Sequence, residues 1–216
     1  MLPLIFTLAT MTAPAAPADG TYTYVSTMNG TPVGKTSITV SHAPAGITIV
    51  EKGGGSFNGQ SAAFQDTLNL DATLAPSAYN SSASYGERAM KGSLTFNGAT
   101  ATEQGDGGTQ TFDLAADAKH FVVLDLGPFS GWFALPAQMA AWNYAPVIAI
   151  APVMGHGFPL APAAETGVQR PKGIPAADVS MGVKAPIAFT VWYDPKTLLV
   201  DRLDIPTQGV SVTRTP

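Results

Sequence analysis

The closing stretch of the chain, residues 189–212, constrains the fold more than any other feature. Its sequence, FTVWYDPKTLLVDRLDIPTQGVSV, begins with alternating apolar residues, passes through the turn residues DPKT at 194–197, and returns in a second apolar run at 198–205. Two such runs joined by turn residues predict a β-hairpin. Because two strands alone are marginally stable in water, the hairpin must pair with a larger sheet. We therefore expect the C-terminus to be integral to the fold.

Short alternating runs also recur between residues 21 and 125, separated by Gly, Asn and Pro. Asn29-Gly30 stands between two of them, 21–28 and 33–41, and Asn-Gly in that position is the strongest short hairpin signal. With no spacing typical of a βαβ unit recognised, the sequence predicts a mainly β fold, a strongly curved antiparallel sheet (half-barrel) wrapping one short helical segment. Further strands are predicted at 47–51, 62–70, 77–85, 90–96, 100–104, 110–114, 120–126, 147–153 and 179–183.

The helical segment is predicted within residues 127–144, where apolar side chains recur at the period of one helical face. Pro136 should prevent one continuous helix, so we expect a short turn followed by a helix that has Pro136 in its first turn. Ser130 is the expected N-cap. Residues 155–175, rich in Pro, Gly and Ala, are predicted to be a long loop. The periodic residues are Trp132, Leu135, Pro136, Met139 and Trp142.

The N-terminus is typical of a secretion signal. Residues 1–18, MLPLIFTLATMTAPAAPA, contain an apolar run too short to span a bilayer, followed by small residues that suit signal peptidase. We expect a signal peptide at 1–18, a single β-rich domain at 19–216, no transmembrane segment after signal removal, and a periplasmic or secreted location. The alternative is a buried N-terminal strand. The absence of cysteine excludes a disulfide, a lipid-bearing cysteine and a thiolate metal site.

The composition of the chain limits the classes of partner that the protein can bind. The formal net charge is −4, and the 11 Lys and Arg residues are scattered, which argues against nucleic-acid binding because phosphate contacts need clustered cations. Only 12% of the residues are charged, whereas the numbers of glycines, 22, and prolines, 18, are both high. A fold of many short strands joined by turns would have such a composition.

Several apparent motifs fail when their spacing is counted. The segment 30–36, GTPVGKT, has three residues between its glycines where a P-loop has four, and a β-run follows, so we interpret it as a hairpin turn with a solvated Lys35. The glycines at 53–59 lack a dinucleotide fingerprint and predict a flexible hairpin loop. Ser130 lacks the flanking glycines of a nucleophile elbow.

Histidines and aspartates give no further site. His156 lacks neighbouring ligands, so no metal and no cofactor are expected. Asp194 is interpreted as a turn residue, and Asp201 with Arg202 as a solvated strand face. No catalytic residue is predicted; an enzyme would need His120 or His156 to meet two converging polar groups in a pocket.

The candidate ligand-binding residues are therefore the large side chains of the helical segment. A sheet that curls around a helix leaves room for an apolar cavity. The alternative is that these side chains only fill the core. They are Trp132, Phe133, Met139 and Trp142.

Two segments carry a resemblance to a known group. Residues 22–34, with Tyr22-Thr23-Tyr24 and NGTPVG, and residues 191–199, VWYDPKTLL, resemble exported bacterial proteins of unknown function with a LolA-like, lipoprotein-carrier-like half-barrel. The resemblance implies a strongly curved antiparallel sheet around helical segments and an affinity for acyl chains or other apolar ligands. It implies no catalytic residues.

Three functions remain open at this point. The first is a periplasmic protein that binds or carries a hydrophobic or amphipathic ligand, such as a lipid, in the concave face of the sheet. The second is an envelope protein–protein interaction module that uses a sheet edge or the loop 155–175. The third is an enzyme of unknown class.

Overall fold

A computed structural model describes residues 15–57, 59–125, 127–152 and 155–216. Most of the expected signal peptide lies outside these ranges, so its existence stays a prediction. Within them the chain forms one α-helix, α1, Ser130–Ala141, and sixteen strands. The strands are β1 Gly20–Met28, β2 Thr31–Ala43, β3 Gly46–Phe57, β4 Gln60–Asp71, β5 Pro76–Tyr85, β6 Arg88–Asn97, β7 Thr100–Gly105, β8 Gly108–Asp113, β9 His120–Val123, β10 Val147–Ala151, β11 His156–Leu160, β12 Ala163–Glu165, β13 Val179–Val183, β14 Phe189–Tyr193, β15 Val200–Ile205 and β16 Val210–Arg214.

Thirteen strands form one large curved antiparallel sheet, in the order β12-β13-β14-β15-β16-β1-β2-β3-β4-β5-β6-β7-β8. This confirms the predicted mainly β fold. Both predicted hairpins are present, and the turn between β1 and β2 has positive φ at Asn29 (50°) and Gly30 (80°), as a two-residue Asn-Gly turn requires. Strand β16 pairs with both β15 and β1, so it joins the closing hairpin, β14–β15, to the opening hairpin, β1–β2, in the middle of the sheet. Its edges are β8 and β12.

A second sheet contradicts the expectation that the chain has no βαβ unit. Its order is β11-β10-β9, and β9 pairs parallel to β10 after the chain passes through α1. The sequence predicts a strand on each side of the helical segment, at 120–126 and 147–153, but gives no sign that these two strands pair with each other in parallel. Strands β11 and β12 also lie within 155–175, so the prediction of one long loop there is wrong. Pairing with β10 and β13 orders these segments despite their composition.

Helix α1 is continuous, and the predicted interruption at Pro136 is wrong. Proline removes one backbone hydrogen bond from a helix, a cost that packing can offset. All residues from 130 to 139 are buried, and α1 contacts β3, β4, β9, β14 and β15. A helix without a polar face is typical of the interior of a fold, where protein surrounds the helix. The N-cap of α1 is Phe129, so the prediction that Ser130 caps the helix is wrong; Ser130 is the first helical residue. In the described part of the chain, no helix combines the length and the hydrophobicity that a membrane-spanning helix needs.

The glycine run at 53–55 lies inside β3, so the predicted flexible loop there is wrong. A Cβ placed on Gly53 would lie 2.4 Å from the ring of Phe64, and one on Gly55 would lie 1.9 Å from the carbonyl oxygen of Val33. Side chains are therefore excluded by close contacts with the neighbouring strands, and glycine serves strand packing here instead of a turn.

Candidate functional site: two cavities beside a buried carboxyl pair

Two carboxyl groups face each other inside the sheet. Glu51 on β3 and Asp66 on β4 are register partners, and they are 0% and 1% exposed. Glu51 follows Ile47 and Ile49 at alternate positions, so the same face of β3 that packs into the core carries the carboxyl group. We call these two residues the carboxyl pair.

The carboxyl pair anchors the N-terminus of α1. Glu51 Oε2 accepts hydrogen bonds from the backbone N–H groups of Phe129 (2.5 Å) and Ser130 (2.7 Å), and Glu51 Oε1 accepts one from the Thr36 hydroxyl (2.6 Å). The Ser130 hydroxyl donates to Asp66. Free N–H groups and the positive end of the helix dipole favour an acceptor at this position. The pair thus fixes where α1 begins relative to the sheet.

Burial also changes the ionisation of the pair. Burial, aided by the nearby charge of Asp66, raises the pKa of Glu51, although the bonds from Thr36 and Phe129 act in the opposite direction. Burial raises the pKa of Asp66 to about 7 against the opposing effect of its bonds to Ser130 and Glu51, and the charge of Asp125 raises it further. Two carboxyls in contact in a dry environment cannot both ionise easily, so they share a proton near neutral pH.

A third acidic residue, Asp125, is near enough to the carboxyl pair for its charge to raise the pKa of Asp66, and it borders the open space beneath the sheet. The hydroxyl of Tyr79 donates to Asp125 Oδ2 (3.5 Å), and Trp132 Nε1 donates to the backbone oxygen of Asp125 (2.7 Å). Burial raises the pKa of Tyr79, with added effect from the charges of Asp66 and Asp125. Asp125 is 2% exposed and lines two adjoining cavities.

The first of these, the apolar cavity, has a volume of about 380 Å³ and lies between the sheet and the N-terminal end of α1. Apolar side chains from both halves of the large sheet make most of its wall. A few polar residues, including Ser26, Thr27 and Gln208, complete it. The apolar members are Met28, Val33, Ala62, Ala63, Phe64, Ala83, Met90, Pro128, Phe129, Trp132, Leu203, Ile205, Val210 and Val212.

The second, the polar cavity, has a volume of about 520 Å³ and lies under β5 to β8. It shares Ala83, Met90 and Asp125 with the apolar cavity, so the two cavities adjoin along the sheet. Its own lining is dominated by glycines and by residues that carry charge or hydrogen-bonding groups. The latter are Ser81, Arg88, Lys91, Glu103, Asp106, Thr109 and Gln110.

The four predicted binding residues do not lie together. Trp132, 3% exposed, lines the apolar cavity. Phe133 and Met139 are fully buried in the core and are not part of that wall. Trp142 lies at the other end of α1, where its ring stacks on His120 with centroids 4.1 Å apart and its Nε1 donates to the Thr73 carbonyl. Whether any of them binds a ligand stays a prediction.

The histidines form no cluster. His42 pairs with Asp19 at 2.5 Å, His120 stacks on Trp142, and His156 is exposed on β11. In the part of the chain that the structure describes, no group of three or more His, Asp or Glu residues could hold a metal ion.

Two aspartates of the closing hairpin behave differently. Asp194 accepts N–H bonds from the next residues of its turn, as the sequence predicts. Asp201 is 6% exposed and pairs with Arg214 at 2.5 Å, so its assignment to a solvated strand face is wrong. The sequence does not show that β16 returns beside β15 and brings Arg214 to this position.

The carboxyl pair and Asp125 were missed at the sequence level, although a signal existed. Glu51 continues the alternating series Ile47, Ile49, and Asp66 precedes Leu68 and Leu70 at the same period. An acidic residue in phase with the apolar face of a strand is expected to be buried.

Comparison with known proteins supports the fold. No protein-family model and no curated protein matches the sequence. One similar solved structure is a DUF1089 family protein from Pseudomonas aeruginosa, with a TM-score of 0.50, 11% identity, and coverage of 95% of this chain and 98% of that chain. Another is a β-barrel-like protein of the domain of unknown function DUF1849 from Brucella abortus, with a TM-score of 0.56, 9% identity, and coverage of 93% and 96%. At these identities the likeness shows a β-barrel-like fold alone.

Proposed function

We propose that this protein binds or carries a hydrophobic or amphipathic ligand, such as an acyl chain or lipid, in the concave face of its curved sheet. The observation that carries the proposal is the apolar cavity of about 380 Å³ beside Trp132. Ligand pockets typically span about 300–1,000 Å³ and have mainly apolar walls with a few polar groups. We also propose that the protein is exported to the periplasm or secreted, as its N-terminal sequence suggests, and has the carrier-like role that the LolA-like resemblance implies.

The composition of the wall supports a ligand with a flexible chain. Met28 and Met90 lie at two sides of the cavity, and methionine adapts its shape to irregular apolar partners. Burying about 300 Å² of ligand apolar surface contributes roughly 7 kcal/mol before the costs of association, enough for weak to moderate affinity. No enzymatic activity is part of this proposal.

Tryptophan fluorescence tests the proposal directly. The double variant Trp142→Phe/Trp192→Phe leaves Trp132 as the single emitter, since the chain has three tryptophans. Dodecanoic acid added to this variant should shift or quench the emission in a saturable manner, because Trp132 lines the apolar cavity. No change at any concentration below micelle formation would contradict the proposal.

A blocking variant provides a matched control. Ala83 lines the cavity from β5, whereas the neighbouring Ser82 is exposed and alternates to the outer face of the same strand. Ala83→Phe should abolish the response to dodecanoic acid, whereas Ser82→Phe should leave it unchanged. Equal responses from both variants would place the ligand elsewhere.

A groove on the outer face favours an envelope interaction module as the second candidate. The groove, of about 420 Å³, is lined by Trp192, Arg202 and Val168, and the Val168 side chain is 41% exposed. A photo-crosslinking residue at position 168 should then capture one envelope protein in the source cell, and the same residue at position 82 should capture none. Capture at neither position would remove this candidate.

A further inference from the structure

The two cavities adjoin but differ in the chemistry of their walls. Ala83, Met90 and Asp125 belong to both walls, with the mainly apolar side chains of the apolar cavity on one side and charged groups of the polar cavity on the other. A ligand that fills both spaces must therefore have an apolar part and a polar part of comparable size.

The polar cavity presents a cation that lacks an acidic partner. Arg88 lies two residues before Met90 on β6, so strand alternation puts its side chain on the face that lines both cavities. Among the described residues, no carboxylate lies within 4 Å of its guanidinium group. A guanidinium group in this state suits a phosphate or carboxylate of a ligand.

The same cavity presents a carboxylate that lacks a donor. Glu103 on β7 has its oxygen Oε2 enclosed, with no hydrogen-bond partner among the described residues. Burial, together with the charge of Asp125, raises the pKa of Glu103. An enclosed acceptor without a partner is unfavourable, and an ammonium group of a ligand would supply both the donor and the opposite charge.

On the basis of the proposed function, we propose that the ligand is a zwitterionic amphiphile that carries an anionic group and a primary ammonium. Its alkyl chain occupies the apolar cavity, and its headgroup occupies the polar cavity. Arg88 binds the anionic group, and Glu103, with Asp125 beside it, accepts hydrogen bonds from the ammonium group.

Four probes with the same twelve-carbon chain separate the contributions of the headgroup. They are dodecylphosphoethanolamine, dodecylphosphocholine, dodecyl sulfate and dodecylammonium, each titrated below its micelle concentration against the Trp132-only variant. Dodecylphosphoethanolamine should bind at least about tenfold more tightly than each of the others, since only this probe combines the anion with an N–H donor.

Two conservative variants assign the preference to residues. Glu103→Gln should reduce the advantage of dodecylphosphoethanolamine over dodecyl sulfate, and Arg88→Gln should reduce its advantage over dodecylammonium. Asp113→Asn and Lys52→Gln change exposed charges of the same sign and should preserve both advantages. Circular dichroism and thermal melting confirm that each variant is folded.

The outcomes separate this inference from the proposed function. Equal affinity for all four probes, or a preference that neither variant changes, would overturn the zwitterionic headgroup site and leave an apolar carrier. Binding of none of the four would overturn both.

Discussion

Replacement of Asp66 by asparagine tests whether the carboxyl pair shares a proton in the folded protein. Asparagine has nearly the same shape as aspartate. Its amide oxygen can accept the hydrogen bond from Ser130, and its NH₂ group can donate to Glu51, so no buried polar atom loses a partner. The variant therefore removes the titration of Asp66 without removing the contacts of the pair.

The expected magnitude follows from the pKa of Asp66, which burial raises from 3.8 to about 7. Between pH 4 and pH 7 the folded chain binds a proton that the unfolded chain has lost. The stability that protonated Asp66 contributes is complete below pH 4 and is lost as the pH rises through 7. The loss is on the order of 4 kcal/mol, which is comparable with the total stability of many domains.

Other carboxyl groups also make the free energy of unfolding depend on pH, and most of them act equally in wild type and in Asp66→Asn. Burial raises the pKa values of Glu51 and Asp178 as well, that of Asp178 to about 7, so wild-type stability should fall with pH by more than one proton's contribution. Asp19 and Asp194 have pKa values lowered by hydrogen bonds from His42 and from the Lys196 N–H, respectively, and they act at lower pH. In the variant the contribution of Asp66 should disappear, and that of Glu51 should shrink, because the charge of Asp66 no longer raises the pKa of Glu51.

Urea denaturation followed by circular dichroism at pH 4.5, 6, 7 and 8 measures these free energies. Asp66→Asn should lose clearly less stability than wild type across this range and should be the more stable protein at pH 8. Asp113→Asn, an exposed change on β8, should parallel wild type. If Asp66→Asn loses as much stability with rising pH as wild type does, the shared-proton interpretation is wrong.

Three further changes test the packing. Gly131→Ala puts a Cβ 1.7 Å from a backbone carbonyl oxygen of β9, and it should lower the free energy of unfolding in urea by about 3 kcal/mol. In the control Gly127→Ala the added Cβ has no neighbour within 4 Å, so the free energy of unfolding should change by less than about 0.5 kcal/mol. Tyr24→Phe removes a buried hydrogen bond of 2.8 Å to a backbone carbonyl and should cost about 1–2 kcal/mol, and an unchanged urea midpoint would refute the importance of that bond. Truncation after Asp194 removes β15 and β16, which join β14 to β1, and should give an unfolded circular dichroism spectrum.

The hairpins could be predicted because their information is local. Asn29-Gly30 specifies its turn through backbone conformation, and the alternation on each side specifies which residues face inward. The parallel pairing of β9 and β10 could not be predicted, since it depends on a helix crossing between strands of four and five residues. The residues of β9 and β10 carry no local signal that specifies which strand each one pairs with.

The errors at Pro136 and at the glycines of β3 share one cause. In both places tertiary packing overrode the local preference of the residue: it buries residues 130–139 of α1 and leaves no room for side chains on Gly53 or Gly55. Trp132 was predicted as a candidate from its helical period. The acidic partners that hold α1 in place came from strands far away in sequence, Glu51 and Asp66.

A crystal structure with a bromine-labelled ligand tests whether the apolar cavity binds an alkyl chain. Crystals grown with 12-bromododecanoic acid would show the position of the chain end through the anomalous scattering of bromine. We expect a bromine peak inside the apolar cavity, within contact distance of Phe64 or Trp132. An empty cavity, with the bromine only on the outer surface of the sheet or absent, would contradict it.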